Sequence, residues 1–242
     1  MCTFACDSSI GSDKIVDKEY RLRASIWLTS QHLATEPHLP TGYRYHVFVD
    51  FWNYTLSSQD ESEKFSTDWK SLPKILTREA GTLVDAGALA IYAGMSVYGS
   101  YNASKEKGLK NWAHSVLDTF PGVNAVFRPR TKVKGFPSCP VCHHQARKCS
   151  KCDSDMRGTE EKGVDTRLAT DLVSLAWEEA YDVAILVTAD QDFVPAAENL
   201  QKKGIKVIHA GFPPNGALLR QKCWGSIDIT KYMREFEHKR AI

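Results

Sequence analysis

The chain has 242 residues, with 31 Lys and Arg against 29 Asp and Glu and a 43% hydrophobic content. That length suits one large domain, or one domain with a small satellite, and the apolar fraction excludes a globally disordered chain. A net charge of +2 leaves any nucleic-acid affinity to a local patch rather than to the field of the whole molecule.

Residues 1–44 read as an arm or appendage, with a short helix or strand over 24–33 ahead of the Pro37–Pro40 break. From Tyr45 onward the pattern changes. Val47-Phe48-Val49 is a buried strand ending at Asp50. A polar loop then leads to a helix over 68–81, with Pro73 tolerated only in its first turn. A strand over 89–98, a helix over 104–119 and a strand over 123–127 follow. Val164, Leu168, Leu172 and Leu175 form one stripe of an amphipathic helix over 164–179. After it come a buried strand (183–187), a helix near 193–203, a strand (205–209), a helix around 216–223 and a short strand near 227–229. Strands alternating with helices predict an α/β fold, a parallel sheet covered on both faces. No internal repeat is evident. The aperiodic stretch 129–159 interrupts the alternation as an insertion.

No apolar run spans a membrane: the stretch 86–99 falls short of the roughly 20 residues required. Met1–Ile10 lacks the features of a secretory signal. Seven cysteines without such a signal point to a reducing compartment, so a soluble cytoplasmic protein is expected.

Within the insertion, Cys139-Pro140-Val141-Cys142 and Cys149-Ser150-Lys151-Cys152 are two C-x-x-C pairs. Each is a knuckle that turns two thiolates towards one ion, and two knuckles complete a tetrahedral Zn²⁺ shell. Four protein ligands leave no open position for water, so the expected zinc is structural. A redox pair would open a helix, which this stretch lacks. Arg128, Arg130, Lys132, Lys134, Arg147, Lys148 and Lys151 surround the cysteines with no intervening acid. They read either as a solvated loop or as a surface for a phosphate backbone, with Phe136 available to stack on a base.

Asp50 closes the first strand, and Asp190 and Asp192 follow the strand 183–187. Acids beyond the carboxyl ends of neighbouring parallel strands face one crevice. Their repulsion calls for a hard cation, Mg²⁺ or Mn²⁺. Asp165 at a helix start is a fourth contributor, or simply an acid complementing the helix dipole. Asn53 caps the next segment or orients a water or phosphate. Asp171 and Thr188 are expected to act through these residues rather than as ligands.

Three stretches, Val47-Phe48-Val49-Asp50-Phe51-Trp52-Asn53, Glu161-Lys162-Gly163-Val164-Asp165 and Thr188-Ala189-Asp190-Gln191-Asp192-Phe193, resemble the signatures of the NYN domain, a family of the PIN-like nuclease superfamily. The resemblance covers about residues 45–230. It departs from the family pattern at Ala189, where many members have Gly, and at Gln191, where many have Ser. It implies a three-layer α/β/α sandwich with a metal-dependent ribonuclease site. The family's site residues then fall on Asp50, Asn53, Asp165, Asp190 and Asp192. Single-stranded RNA is the implied partner, and a homodimer is an option. Two alternatives are an RNA-binding module that does not cut and a phosphatase of the haloacid dehalogenase type, suggested by Asp190-Gln191-Asp192-Phe193-Val194. Neither a dinucleotide fingerprint nor a P-loop occurs.

Overall fold

A computed structural model describes residues 42–238; the expected element over 24–33 lies outside them. In chain order, β1 (Gly42–Asp50) runs directly into α1 (Phe51–Glu61), and α2 (Leu72–Val84) leads to β2 (Leu89–Tyr101). Next, α3 (Lys107–Ser115) precedes β3 (Val123–Pro129), and β4 (Thr131–Lys132) and β5 (Thr159–Glu160) bracket the insertion. Then follow α4 (Val164–Trp177), β6 (Val183–Val187), α5 (Val194–Lys202), β7 (Lys206–Gly211), α6 (Ala217–Lys222) and β8 (Gly225–Asp228). β1 thus begins at Gly42, three residues ahead of the expected start of the domain.

Six strands form one parallel sheet in the order β3-β2-β1-β6-β7-β8. The two-residue side-chain period divides each strand between two cores. Tyr45, Val47 and Val49 of β1 and Ile185 and Val187 of β6 join Leu72, Ile75 and Leu76 of α2 and Ala113 of α3 on one face. Phe48 of β1 and Ala184 and Leu186 of β6 join Val164, Leu168, Leu172 and Ala176 of α4, and Ala197 and Leu200 of α5, on the other. Both faces are covered, which is the three-layer arrangement expected. β1 and β6 are adjacent, with Val49 opposite Val187. The strand order departs in opposite directions from this pair, so the crevice at its carboxyl end is the topological switch point.

Three local differences have physical causes. α1 takes the place of the expected polar loop. Asp50 caps it by accepting the Asn53 N–H at 3.2 Å, and only Phe51, Tyr54 and Ser58 of its polar sequence are buried. α2 starts at Leu72 rather than at 68, because Asp68 holds a turn, accepting from the Ser71 hydroxyl at 2.6 Å and the Lys70 N–H at 3.0 Å. The α4 stripe ends on Ala176 rather than on Leu175, which is only partly buried.

The insertion contains an internal repeat after all, ten residues long, carried by the backbone as well as by the spacing of the cysteines. Bridges pair Ser138 with Gln145 and Lys148 with Asp155. His143 N–H donates to Cys139 O and Asp153 N–H to Cys149 O, both at 2.9 Å. His143 and Asp153 occupy the left-handed region at φ 59° and 57°. The two C-x-x-C segments therefore adopt one local fold twice. β4 and β5 pair antiparallel and close the root of the insertion.

Candidate active site

The carboxyl end of β1 and the turn after β6 meet through a chain of hydrogen bonds. The Thr188 hydroxyl donates to Asp50 Oδ2 at 3.1 Å and accepts the Asp190 N–H at 3.2 Å. Asp190 Oδ1 accepts the Asp192 N–H at 2.9 Å, capping the turn that starts α5. Asn53 Oδ1 accepts the Ala189 N–H at 2.8 Å. Asn53 thus ties the turn to α1, and its amide nitrogen has no acceptor among the described residues. Five expected residues, Asp50, Asn53, Thr188, Asp190 and Asp192, share this one network. Behind it, His209 is 2% exposed and holds Thr188 O through Nε2 at 2.9 Å.

Asp165 joins the group through charge. Burial raises its carboxyl above the ordinary range, and Glu161, Asp190 and Asp192 raise it further. Burial likewise pushes Asp50 up to about 6; the Asn53 N–H and Thr188 hydroxyl oppose the shift, while Asp165 and Glu161 add to it. Glu161 is the acid that residue-type reasoning left without a role. It stands four residues before Asp165, but its approach to the site depends on the β4–β5 pairing. There its carboxylate accepts the Ser100 hydroxyl at the end of β2.

Asp171 lies apart from this network. It accepts from Tyr98 Oη at 3.0 Å and from Arg167 Nε at 2.7 Å, pinning α4 onto β2. The basic residues also separate. Lys132 pairs with Asp155 at 3.0 Å and Lys148 with Asp153 at 2.7 Å, acids that follow the run just beyond Lys151. Arg157 and Arg147 lie 4.7 and 5.6 Å from the ring centroid of Phe136, which stays partly exposed. Arg128, Lys134 and Lys151 form no ion pair with another described residue. Arg130 donates through Nε to Ser100 Oγ at 2.8 Å, and the Arg128 guanidinium lies against Gly163, two residues before Asp165. A separate cavity of about 580 Å³, lined by Trp69, Trp112 and Phe120 among others, contains none of the site acids.

The donor chemistry suits two kinds of ion. The crevice offers carboxylate oxygens whose charge raises the proton affinity of Asp50 and Asp165, a repulsion that a hard divalent cation relieves. Each knuckle offers two free thiols. N–H groups of Cys142 and Val141 lower the Cys139 thiol, and Ser154 lowers that of Cys152. Among the described residues, however, no three His, Cys, Asp or Glu side chains stand close enough to enclose a metal ion. The two knuckles are each formed, but the four thiols do not make one group. No helix among these residues is long and apolar enough to cross a membrane.

The sequence profile of the NYN domain matches residues 44–230. No curated protein matches the chain. A solved structure, a protein of unknown function from Vibrio parahaemolyticus, is 18% identical with a TM-score of 0.47, over 78% of this chain and 94% of that one.

Proposed function

The chain belongs to the NYN domain family, a nuclease fold of the PIN-like superfamily, and from that premise we propose that it hydrolyses phosphodiester bonds of single-stranded RNA endonucleolytically at the crevice between β1 and β6. The observation that carries the reading is the hydrogen-bond network that joins Asp50, Asp190 and Asp192 at that switch point, with the charge of Asp165 reaching Asp50. Family membership removes the ground for a dehalogenase-type phosphatase.

Asp50, Asp165, Asp190 and Asp192 would hold Mg²⁺ or Mn²⁺, which supplies charge against the attacked phosphate and acidifies a bound water. The residues themselves divide the remaining work. Asp50, whose carboxyl is pushed up to about 6 by burial when no cation is bound, would be ionised beside the cation and would accept the proton of the attacking water and return it to solvent. Thr188 fixes the Asp50 carboxylate through one oxygen, leaving the other beside the Asn53 N–H. The Asn53 amide, aimed by its bond to Ala189, donates to a phosphate oxygen or to the water. Incubation with labelled single-stranded RNA and DNA, in Mg²⁺, Mn²⁺ or EDTA, tests the reading. Internal cuts in RNA that EDTA abolishes are expected; RNA binding without cutting in either metal makes the chain a binding module instead.

For the insertion the reading is one structural zinc on Cys139, Cys142, Cys149 and Cys152. The support is the duplicated knuckle with N–H groups directed at sulfur. Protein purified without added metal should then carry about one zinc per chain by elemental analysis. Absence of zinc, with four freely titrating thiols in the native protein, contradicts it.

A further inference from the structure

Arg130 is held as no other cation of the insertion is. Its backbone N–H donates to Tyr101 O at 2.8 Å, and its Nε donates to Ser100 Oγ at 2.8 Å. The guanidinium carbon lies 4.9 Å from the ring centroid of Trp52, two residues after Asp50. Trp52 is itself fixed, donating its indole N–H to Ser100 O at 2.7 Å. The Ser100 hydroxyl passes on to Glu161, whose charge reaches Asp50 and Asp165. Four segments (the start of α1, the end of β2, the root of the insertion and the approach to α4) thus set the orientation of one planar cation, linked to Glu161 through Ser100. Its two terminal nitrogens have no acceptor among the described residues, and it makes no ion pair with Glu161. An arginine placed only for stability would spend its fork on that carboxylate; this one keeps two parallel donors, the geometry that matches phosphate.

We propose that Arg130 grips the phosphate adjacent to the one being cut, with Trp52 and Ser100 as its positioning residues. The inference rests on the nuclease reading for the word "adjacent" and on geometry alone for the phosphate contact. Ser100 and Glu161 intervene between the guanidinium and the reacting acids, which places it over a neighbouring phosphate rather than the attacked one. A contact to a phosphate that does not react binds ground state and transition state alike, so it acts on KM and leaves kcat.

The test uses the full chain with Arg130→Ala and Arg130→Lys, each checked against the parent for melting temperature. Binding of a fluorescein-labelled oligouridylate is followed in EDTA over roughly 50 to 200 mM salt, where one lost phosphate contact on a single strand lowers the slope of log K against log salt by about 0.7. Arg130→Ala should show that drop and a KM raised about tenfold or more, as expected for a lost charged hydrogen bond, with kcat near that of the parent. Arg130→Lys should keep the salt slope and recover only part of the affinity, because lysine brings charge without the fork. It also provides the answer should the alanine variant fail to fold. An unchanged slope and KM overturn the proposal, as does a loss confined to kcat, which would put Arg130 on the reacting phosphate. If the parent binds but never cuts, the nuclease reading fails while the salt slope still decides the phosphate contact.

Discussion

Gly216 stands at φ 69°, and a Cβ there would come within 2.9 Å of His209 Nε2 and 3.0 Å of the Ala189 Cα. The residue therefore has two reasons to be glycine: the left-handed backbone and the close approach of the turn that carries Asp190. Gly216→Ala should cost about 1–2 kcal/mol for the backbone conformation alone, measured by denaturant unfolding. It should also lower cleavage, because the backbone of Ala189, the partner of Asn53, has no room to yield. Parent-like stability and cleavage would show that the turn tolerates displacement. The sequence singled out Asp50, Asn53, Asp190 and Asp192 because each sits at the end of an apolar strand or in the turn beyond it. It did not single out His209, which is buried behind the turn and whose role depends on β7 lying next to β6. The role of Glu161 was hidden for a similar reason: a two-residue ladder pairs the far ends of the insertion root.

Among the elements, the insertion shows most clearly how local charge and folded charge differ. Counted along the chain, it is a basic run; folded, Asp153 and Asp155 return against Lys148 and Lys132. Cations that remain unpaired should carry more of any phosphate contact than those already neutralised, although exposed pairs are worth only about 0–1 kcal/mol. Lys134→Ala with Lys151→Ala should therefore weaken RNA binding and flatten its salt dependence more than Lys132→Ala with Lys148→Ala. Equal effects from the two pairs of substitutions would mean that the ion pairs open freely in solution. Legibility among the elements follows burial. β6 was readable to the residue, since Val183 to Val187 are buried on both faces and read as an unbroken apolar run. α1 was not, because most of its surface is polar and its start is fixed by a cap whose own position is set by the sheet.

Across the whole molecule, the buried groups make stability depend on pH with opposing signs. Asp50, pushed up to about 6, keeps a proton in the folded chain that the unfolded chain has released above about pH 4. That contribution stabilises at low pH and is lost as the pH rises through 6. Burial pushes His46 down to about 4 and also lowers His209. The folded chain excludes those protons, so stability is full above about pH 6.5 and is lost as the pH falls towards 4. Asp50 and His46 each amount to about 3 kcal/mol at most and largely cancel in the metal-free parent. Asp50→Asn removes one side of the balance. In EDTA the variant should melt higher than the parent at pH 7 and lose stability more steeply between pH 6.5 and 4. Parallel pH profiles would contradict the buried-carboxyl account. At this scale the sequence made the alternation of strands and helices legible. It did not yield the strand order, which depends on the crossover that sets β6 beside β1 and thereby brings Asp50 into one hydrogen-bond network with Asp190 and Asp192.

That these acids act together as one site is the central proposal, and its most direct measurement is cleavage of single-stranded RNA in Mn²⁺ by the parent and by Asp50→Asn. Asparagine keeps one oxygen for the Asn53 N–H and presents its NH2 to the Thr188 oxygen, which can turn from donor to acceptor, so the variant should remain folded, with a melting temperature at or above that of the parent. Loss of a general base at a cation-holding acid should lower the cleavage rate by about 10²-fold or more. A folded Asp50→Asn protein that cuts at the parental rate would contradict the account, because the carboxylate would then be scaffold and the chemistry would lie elsewhere.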